Sequence, residues 1–365
     1  MKKLFCAIFA ILLALPTAAS PSVSARSAVL MTVEGDVLFE KNADETLPMA
    51  STTKIMTCLL AIENCSLADE VVITDESAGI EGSSLYLGSG DRVSVKDLLY
   101  AAMLRSANDA ASALALHAAG SEEAFAELMN RKARELGMEN TNFTNPHGLP
   151  DEEHYTTARD FARLASRAME NGTFAAIAGA KEYVVTVNGN EKRPVKNHNR
   201  LLFSYEGACG VKTGFTKASG RCLVSAAKRD GVTLVCVTLD APDDWEDHRR
   251  LLDYGFGITE RRLIAHEGEI EKVLHTFGSG YVTVTNAEAL EATVRVGSDT
   301  EYVFCADRFP APPIAAGDPL GSLTVVSDGR AVCGCELVAS EDVPLPPKES
   351  LFEKIKEFFG SLWKK

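Results

Sequence analysis

Pro48-Met49-Ala50-Ser51-Thr52-Thr53-Lys54-Ile55-Met56-Thr57-Cys58-Leu59-Leu60 reads as the start of a helix from Ser51 to Glu63, with Ile55, Leu59 and Leu60 on its apolar side. On such a helix positions i and i+3 share a face, which puts Lys54 beside Ser51 Oγ. A serine at a helix N-terminus also has a backbone N–H free to bind an oxyanion. Ser-x-x-Lys is a common pattern, and Ser225-Ala226-Ala227-Lys228 and Ser361-Leu362-Trp363-Lys364 match it too. The first lies on a predicted strand, where residues three apart point to opposite faces. The second lies in an amphipathic tail, with its lysine on the wet side. Ser51 is therefore the candidate nucleophile and Lys54 its candidate base.

Two further elements follow in order, Ser106-Ala107-Asn108 and Lys212-Thr213-Gly214. A free lysine has a pKa of about 10.4 and is a poor base at neutral pH. Burial and a second cation lower it enough to accept a serine proton, and Lys212 is the natural second cation. Ser106 can bridge protons to a leaving amine, and Asn108 can position a substrate amide. Taken alone, those two residues would read as a helix cap. Lys212 and the Thr213 hydroxyl suit a carboxylate-ended substrate, and Gly214 lets a substrate backbone approach the strand edge.

Outward from these elements, the chain reads as strands, a long helical insertion, more strands and a closing helix. Ser27–Val33 and Val37–Glu40 form a hairpin over Gly35-Asp36. Helices are expected at Val95–Leu104, Asp109–Ala119, Glu122–Leu136 and Thr157–Asn171. Strands return at Glu182–Val187, Gly210–Thr216, Arg221–Lys228 and Val232–Leu239, the last two joined by Arg229-Asp230-Gly231. A final helix spans about Asp244–Tyr254. The pattern predicts an antiparallel sheet with helices packed on it over residues 26–265, an α+β class. Residues 266–342 are expected to form a small all-β domain. Pro-rich residues 343–349 make a stiff linker, and Ser350–Lys365 an amphipathic helix suited to a membrane interface.

The chain of 365 residues carries a formal charge of −14, which disfavours a nucleic-acid partner. Lys2 and Lys3 precede the apolar run Leu4–Leu15, broken by Pro16, the layout of a secretory signal peptide over residues 1–25. Cleavage before Arg26 is expected, with Ala19 or Ser20 nearly as suitable. The protein is accordingly expected outside the cytoplasm. Cys58, Cys65, Cys209, Cys222, Cys236, Cys305, Cys333 and Cys335 show no framework spacing and are expected to be mostly reduced.

The three elements together resemble the signature of penicillin-binding proteins and class A β-lactamases. Nearly all of the chain after the leader is similar to low-molecular-weight penicillin-binding proteins, the D-alanyl-D-alanine carboxypeptidases. The resemblance runs through Pro48–Lys54, Leu104-Arg105-Ser106-Ala107-Asn108-Asp109-Ala110, Asn145-Pro146-His147-Gly148-Leu149 and Lys212-Thr213-Gly214-Phe215-Thr216. It implies a β-lactamase/transpeptidase-like catalytic domain, a small β domain and a C-terminal amphipathic anchor. It also implies roles: Ser51 as acylated nucleophile, Lys54 as general base, Ser106 as proton shuttle and Asn108 as peptide contact. Lys212, Thr213 and Gly214 would form the subsite for the terminal carboxylate, and the backbone N–H groups of Ser51 and Phe215 the oxyanion hole. The implied partners are peptidoglycan stem peptides ending in D-Ala-D-Ala, β-lactam inhibitors, and the outer face of the cytoplasmic membrane. No cofactor and no metal is implied. One departure stands out. Some relatives place an arginine before the last helix, whereas Asp243-Asp244-Trp245-Glu246-Asp247-His248 contains none. His198, Arg200 and Arg221 are candidates to assist Lys212.

Competing readings have specific weaknesses. A β-lactamase of class A activates its deacylating water with a glutamate, and no Glu-x-x-Leu-Asn element lies between Ser106 and Lys212. A non-catalytic penicillin-binding sensor or structural protein would not need every catalytic residue. His147 and His154, near Asp151 and Asp160, lack metal-ligand spacing and read as hydrogen-bonding loop residues. The absence of a Gly-x-Ser-x-Gly elbow disfavours an α/β-hydrolase.

Overall fold

A computed structural model describes residues 20–277 and 280–345. The apolar run of the leader, the Ser361 motif and the tail helix expected over 350–365 lie outside the described residues. The chain divides after Ile258 into two units, each with its own hydrophobic core.

The first unit opens with the hairpin β1 (Ser27–Thr32) and β2 (Val37–Lys41). A 3₁₀ turn, Ala50–Thr53, precedes α1 (Lys54–Asn64). Short strands β3 (Glu70–Val72) and β4 (Arg92–Ser94) lead to α2 (Val95–Tyr100), which passes into a π-helical turn, Ala101–Arg105. Then come α3 (Asn108–Ala119), α4 (Glu122–Glu135), α5 (Ala158–Glu170) and α6 (Gly172–Ala178). The chain returns through β5 (Glu182–Val187), β6 (Glu191–Lys196) and α7 (Leu201–Ser204). Strands β7 (Ala208–Thr216), β8 (Gly220–Arg229) and β9 (Val232–Leu239) follow, and α8 (Asp244–Ile258) ends the unit.

Five antiparallel strands form the main sheet in the order β2-β1-β9-β8-β7, leaving β7 on an edge. The sheet is buried on both faces, which is why Leu234-Val235-Cys236-Val237 is uniformly apolar rather than alternating. Helix α8 packs on β9, β8 and β1, while α5 packs on β9 and β1. The β8–β9 turn carries positive φ at both Asp230 (47°) and Gly231 (81°), the type I′ geometry that matches strand twist. Helix α1 is buried from Lys54 through Ala61, so it forms the centre of the helical layer rather than its surface.

Three expectations are corrected. Ser51 lies on the 3₁₀ turn, and the α-helix begins at Lys54. Residues 23–25, assigned to the leader, belong to the fold: Val23 and Ala25 are buried, and the N–H groups of Ser24 and Ala25 donate to Asp247 at 2.9 Å. Lys41 Nζ also donates to the carbonyl of Ala25 at 2.6 Å. Finally, the break between units falls at Ile258/Thr259 rather than after residue 265. Strand β10 (Thr259–Ala265) pairs with β13, so its partner assigns it to the second unit.

That second unit also contains β11 (Glu271–His275), β12 (Tyr281–Asn286), β13 (Leu290–Arg295), β14 (Thr300–Ala306), β15 (Pro319–Ser327) and β16 (Arg330–Ala339). Five of its strands form one antiparallel sheet, ordered β11-β12-β16-β15-β14. Val282, Val284, Leu323, Val325 and Leu337 form the centre of its core. Val343 exchanges backbone hydrogen bonds with Ile314 at 2.8 and 2.9 Å, so the expected linker begins inside this unit. The two units together make a two-domain α+β protein.

Candidate active site

The nucleophile turn is held from two sides. Gly214 of β7 faces it, and a Cβ there would stand 3.1 Å from both Met49 O and Thr52 N. Gly148 backs it with φ +87°, and a Cβ there would stand 2.0 Å from Ala50 O. Only glycine permits so close an approach at Gly148. Gly214 thus seats the Ser51 turn on the sheet edge.

Lys54 is fully buried, and its ammonium nitrogen has three neighbours. It lies 2.7 Å from Asn108 Oδ1, 2.6 Å from His147 O and 3.2 Å from Ser51 Oγ. Burial first, and the charge of Lys212 second, hold its pKa well below the ordinary lysine value. A neutral amine has two N–H groups and one lone pair. The two shorter contacts are to obligate acceptors and take both N–H groups. The lone pair is then left for the Ser51 hydroxyl, which can donate to it. This is the hydrogen-bond arrangement of a general base.

The π-helical turn ends at Ser106 in the left-handed region, with φ 63° and ψ 29°. That conformation is uncommon for a residue with a side chain and marks a functional position. Ser106 Oγ accepts from Lys212 Nζ at 3.0 Å, and Lys212 also donates to Thr213 O at 2.8 Å. Burial pulls the Lys212 ammonium down to about 7. Neither Ser106 nor Asn108 caps α3, whose N-cap is Ala107 without a side-chain bond. The Ser225 match fails as its geometry requires: Ser225 Oγ bonds His248 Nδ1 beneath α8, and Lys228 is exposed on the other face.

A family model for D-alanyl-D-alanine carboxypeptidases matches residues 15–243. The chain belongs to this family. It is 34% identical over 334 residues to the D-alanyl-D-alanine carboxypeptidase DacF of Bacillus subtilis, covering 87% of this chain and 86% of that protein. Identity to DacC of Escherichia coli is 32% over 378 residues, with 95% and 88% covered. Among solved structures, penicillin binding protein 5 from Haemophilus influenzae superposes with a TM-score of 0.73 at 27% identity, covering 90% of this chain and 99% of that one.

Within this carboxypeptidase site, a cleft of about 560 Å³ runs along the β7 edge. Ser51, Ser106, Thr213, Gly214 and Phe215 line it, bringing the expected nucleophile and shuttle and part of the expected carboxylate subsite to one cleft. Phe215 is 65% exposed at the mouth. The candidates His198, Arg200 and Arg221 all reach the same cleft. His198 is pushed below its ordinary value by burial, then by Lys212 and Arg105, and so is a poor cation.

Asn108 has a role beyond the expected peptide contact. Its Oδ1 is bonded to Lys54 and its Nδ2 donates to Glu81 O, and the side chain is buried. Asn108 therefore positions Lys54 through Oδ1, while Nδ2 uses one of its two N–H groups on Glu81 O. The carbonyl of His147 has the same duty and was not assigned a role from sequence. Asn145 Oδ1 accepts from Gly148 N at 2.7 Å, and Thr57 Oγ1 donates to Pro146 O at 2.6 Å, so the Asn145–Leu149 turn is built to deliver that carbonyl. A backbone group carries no residue-type signature, which is why sequence reading passes over it. His154 is structural: Thr144 N–H donates to its Nδ1 at 3.0 Å, and Nε2 bonds Thr53 Oγ1 at 2.8 Å. No cluster of metal-ligating side chains occurs among the described residues.

Proposed function

We propose that the chain removes the terminal D-alanine from peptidoglycan stem peptides through an acyl-enzyme on Ser51, and that β-lactams arrest it at that stage. The observation that carries this reading is the buried Lys54 nitrogen, 2.7 Å from Asn108 Oδ1, 2.6 Å from His147 O and 3.2 Å from Ser51 Oγ, contacts that in the neutral amine leave the lone pair for Ser51. As Ser51 Oγ bonds to the carbonyl carbon of the penultimate residue, its proton passes to Lys54. The backbone N–H groups of Ser51 and Phe215 receive the oxyanion. Ser106, fixed by Lys212, relays a proton to the leaving nitrogen as the C–N bond breaks and D-alanine departs. Water then attacks the ester, giving its proton to the same base and regenerating Ser51. A β-lactam forms the same ester, but its leaving amine stays tethered and hinders water.

Incubation with a labelled penicillin and a D-Ala-D-Ala peptide tests this against Ser51→Ala. Stable label and D-alanine release in the wild type, with both lost in the variant, are expected. Undiminished D-alanine release by Ser51→Ala would refute the serine mechanism, and rapid penicillin hydrolysis without D-alanine release would mark a β-lactamase.

The same reading places the protein outside the cytoplasm, on the outer face of the membrane. It is supported by the charged and apolar layout of residues 2–15 and the amphipathic spacing of residues 350–365. The packing of Val23–Ala25 favours leader cleavage near Ala19 or Ser20 over cleavage before Arg26. No helix among the described residues is long and apolar enough to cross a membrane. Deleting residues 348–365 is expected to release active enzyme from membranes, and unchanged retention would count against a peripheral anchor.

A further inference from the structure

A substrate that ends in a free carboxylate needs a cation that faces the cleft, and Lys212 is poorly placed to be the whole of it. The residue is 1% exposed, its ammonium donates to Ser106 and to Thr213 O, and burial pulls it to about 7. The helix that follows β9 begins with Asp244, not with a basic residue. The structure points instead to the neighbouring strand. In the β7–β8 ladder Arg221 lies directly opposite Phe215 and two pairs along from Thr213, whose partner is Leu223. Side chains at 213, 215 and 221 therefore share one face of the sheet at the cleft. A diagonal cross-strand neighbour is roughly 7–8 Å away, within reach of a long side chain.

Arg221 is also held at one end only. Its Nε donates to Asp244 Oδ1 at 3.0 Å, and Asp244 is buried at the start of α8, its Oδ1 also accepting from Trp245 N at 3.0 Å. The two terminal nitrogens of Arg221 make no hydrogen bond among the described residues, and the side chain is 43% exposed. A guanidinium clamped through Nε presents its other N–H groups as a planar fork, the geometry that binds a carboxylate with two parallel bonds. Arg200 reaches the same cleft, but its guanidinium lies 5.9 Å from the Trp245 ring and makes no ion pair with an acid among the described residues.

We propose that Arg221, oriented by Asp244, grips the terminal carboxylate of the substrate beside Thr213. This rests on the carboxypeptidase reading and names the residue that replaces the missing helix arginine as the source of charge. Asp244 is a positioning residue: removing its charge leaves the Arg221 cation in place but free to swing.

Two acyl donors separate the grip from the chemistry. One is a peptide ending in D-Ala-D-Ala with a free carboxylate. The other is the same peptidyl-D-alanine as a p-nitrophenyl ester, whose leaving group has no carboxylate. Arg221→Ala should lower kcat/KM for the free acid on the order of 100-fold, the worth of a lost charged hydrogen-bond pair, with ester acylation of Ser51 within about 3-fold of wild type. Asp244→Asn should raise KM for the free acid about 10-fold while kcat moves less. Arg200→Ala should change neither substrate by more than about 3-fold. An Arg221→Ala enzyme that keeps its free-acid kcat/KM, or loses both substrates equally, overturns the proposal, as does transfer of the loss to Arg200→Ala. A wild type that is acylated by the ester yet releases no D-alanine from the free acid overturns the carboxypeptidase reading and the grip with it.

Discussion

Replacing Gly148 by alanine tests whether the Asn145–Leu149 turn is part of the catalytic apparatus. The added Cβ would stand 2.0 Å from Ala50 O and 2.9 Å from Ser51 N. A carbon–oxygen contact relaxes only at roughly 3.3 Å, so the two loops must part by about 1.3 Å. The displaced groups include Ala50 O, which accepts from Thr53 Oγ1, and the adjoining His147 O, which accepts from Lys54 at 2.6 Å. The left-handed backbone costs an alanine about 1–2 kcal/mol, and overpacking adds about 1–3 kcal/mol. At about 2–4 °C per kcal/mol for a domain of this size, Tm should fall roughly 4–20 °C. A shift of about 1 Å among reacting groups should slow acylation on the order of 100-fold. Gly137 provides the control. Its φ is +69° with nothing within 4 Å of a Cβ, so Gly137→Ala should lose about 1–2 kcal/mol and keep its acylation rate. Calorimetry and single-turnover acylation by a fluorescent penicillin measure both effects. Equal acylation rates for the two variants would refute the claim that this turn positions Lys54.

Asn108→Asp should place a carboxylate 2.7 Å from Lys54, raising its pKa and moving the acidic limb of the pH–acylation profile up by at least about one pH unit; an unmoved limb would contradict Lys54 as base. Burial pushes His154 down to about 4 and His248 to about 3. The unfolded chain therefore binds these protons first as pH falls below about 6.5, and stability present above that value is lost progressively towards pH 3. Tm should decline across that range and His248→Gln should flatten the decline, whereas a wild-type Tm constant from pH 7 to pH 4 would rule this out. Ser225→Ala should retain penicillin labelling at Ser51 while losing about 1 kcal/mol, because it removes only the bond to His248; loss of labelling with an intact fold would reopen the choice of nucleophile.

Much of this protein can be read from its chain. Periodicity marks β1, β8, β9, α3, α4 and α5 because each buries one face or both in a regular repeat. Position on a helix against position on a strand is enough to separate Ser51 from Ser225, since side-chain direction follows secondary structure directly. Other features have no such repeat. The charged strand β6 and the short β3 and β4 carry too few buried residues to show a period. β10 has its partner in β13, so only pairing could assign it to the second unit.

The site divides along the same line. The order of the three motifs supplies the candidate nucleophile, base, shuttle and carboxylate strand, because those roles depend on side-chain type. Tertiary structure decides what each group faces. It turns Asn108 inward to Lys54, delivers the His147 carbonyl, buries Lys54 and Lys212 together, and brings Arg221 from β8 to Asp244 at the head of α8. These are contacts between residues 23 to 93 positions apart, or to backbone atoms. Local sequence encodes conformation and chemical type, whereas proton affinity and orientation come from burial and from partners that only the folded chain brings within 3 Å.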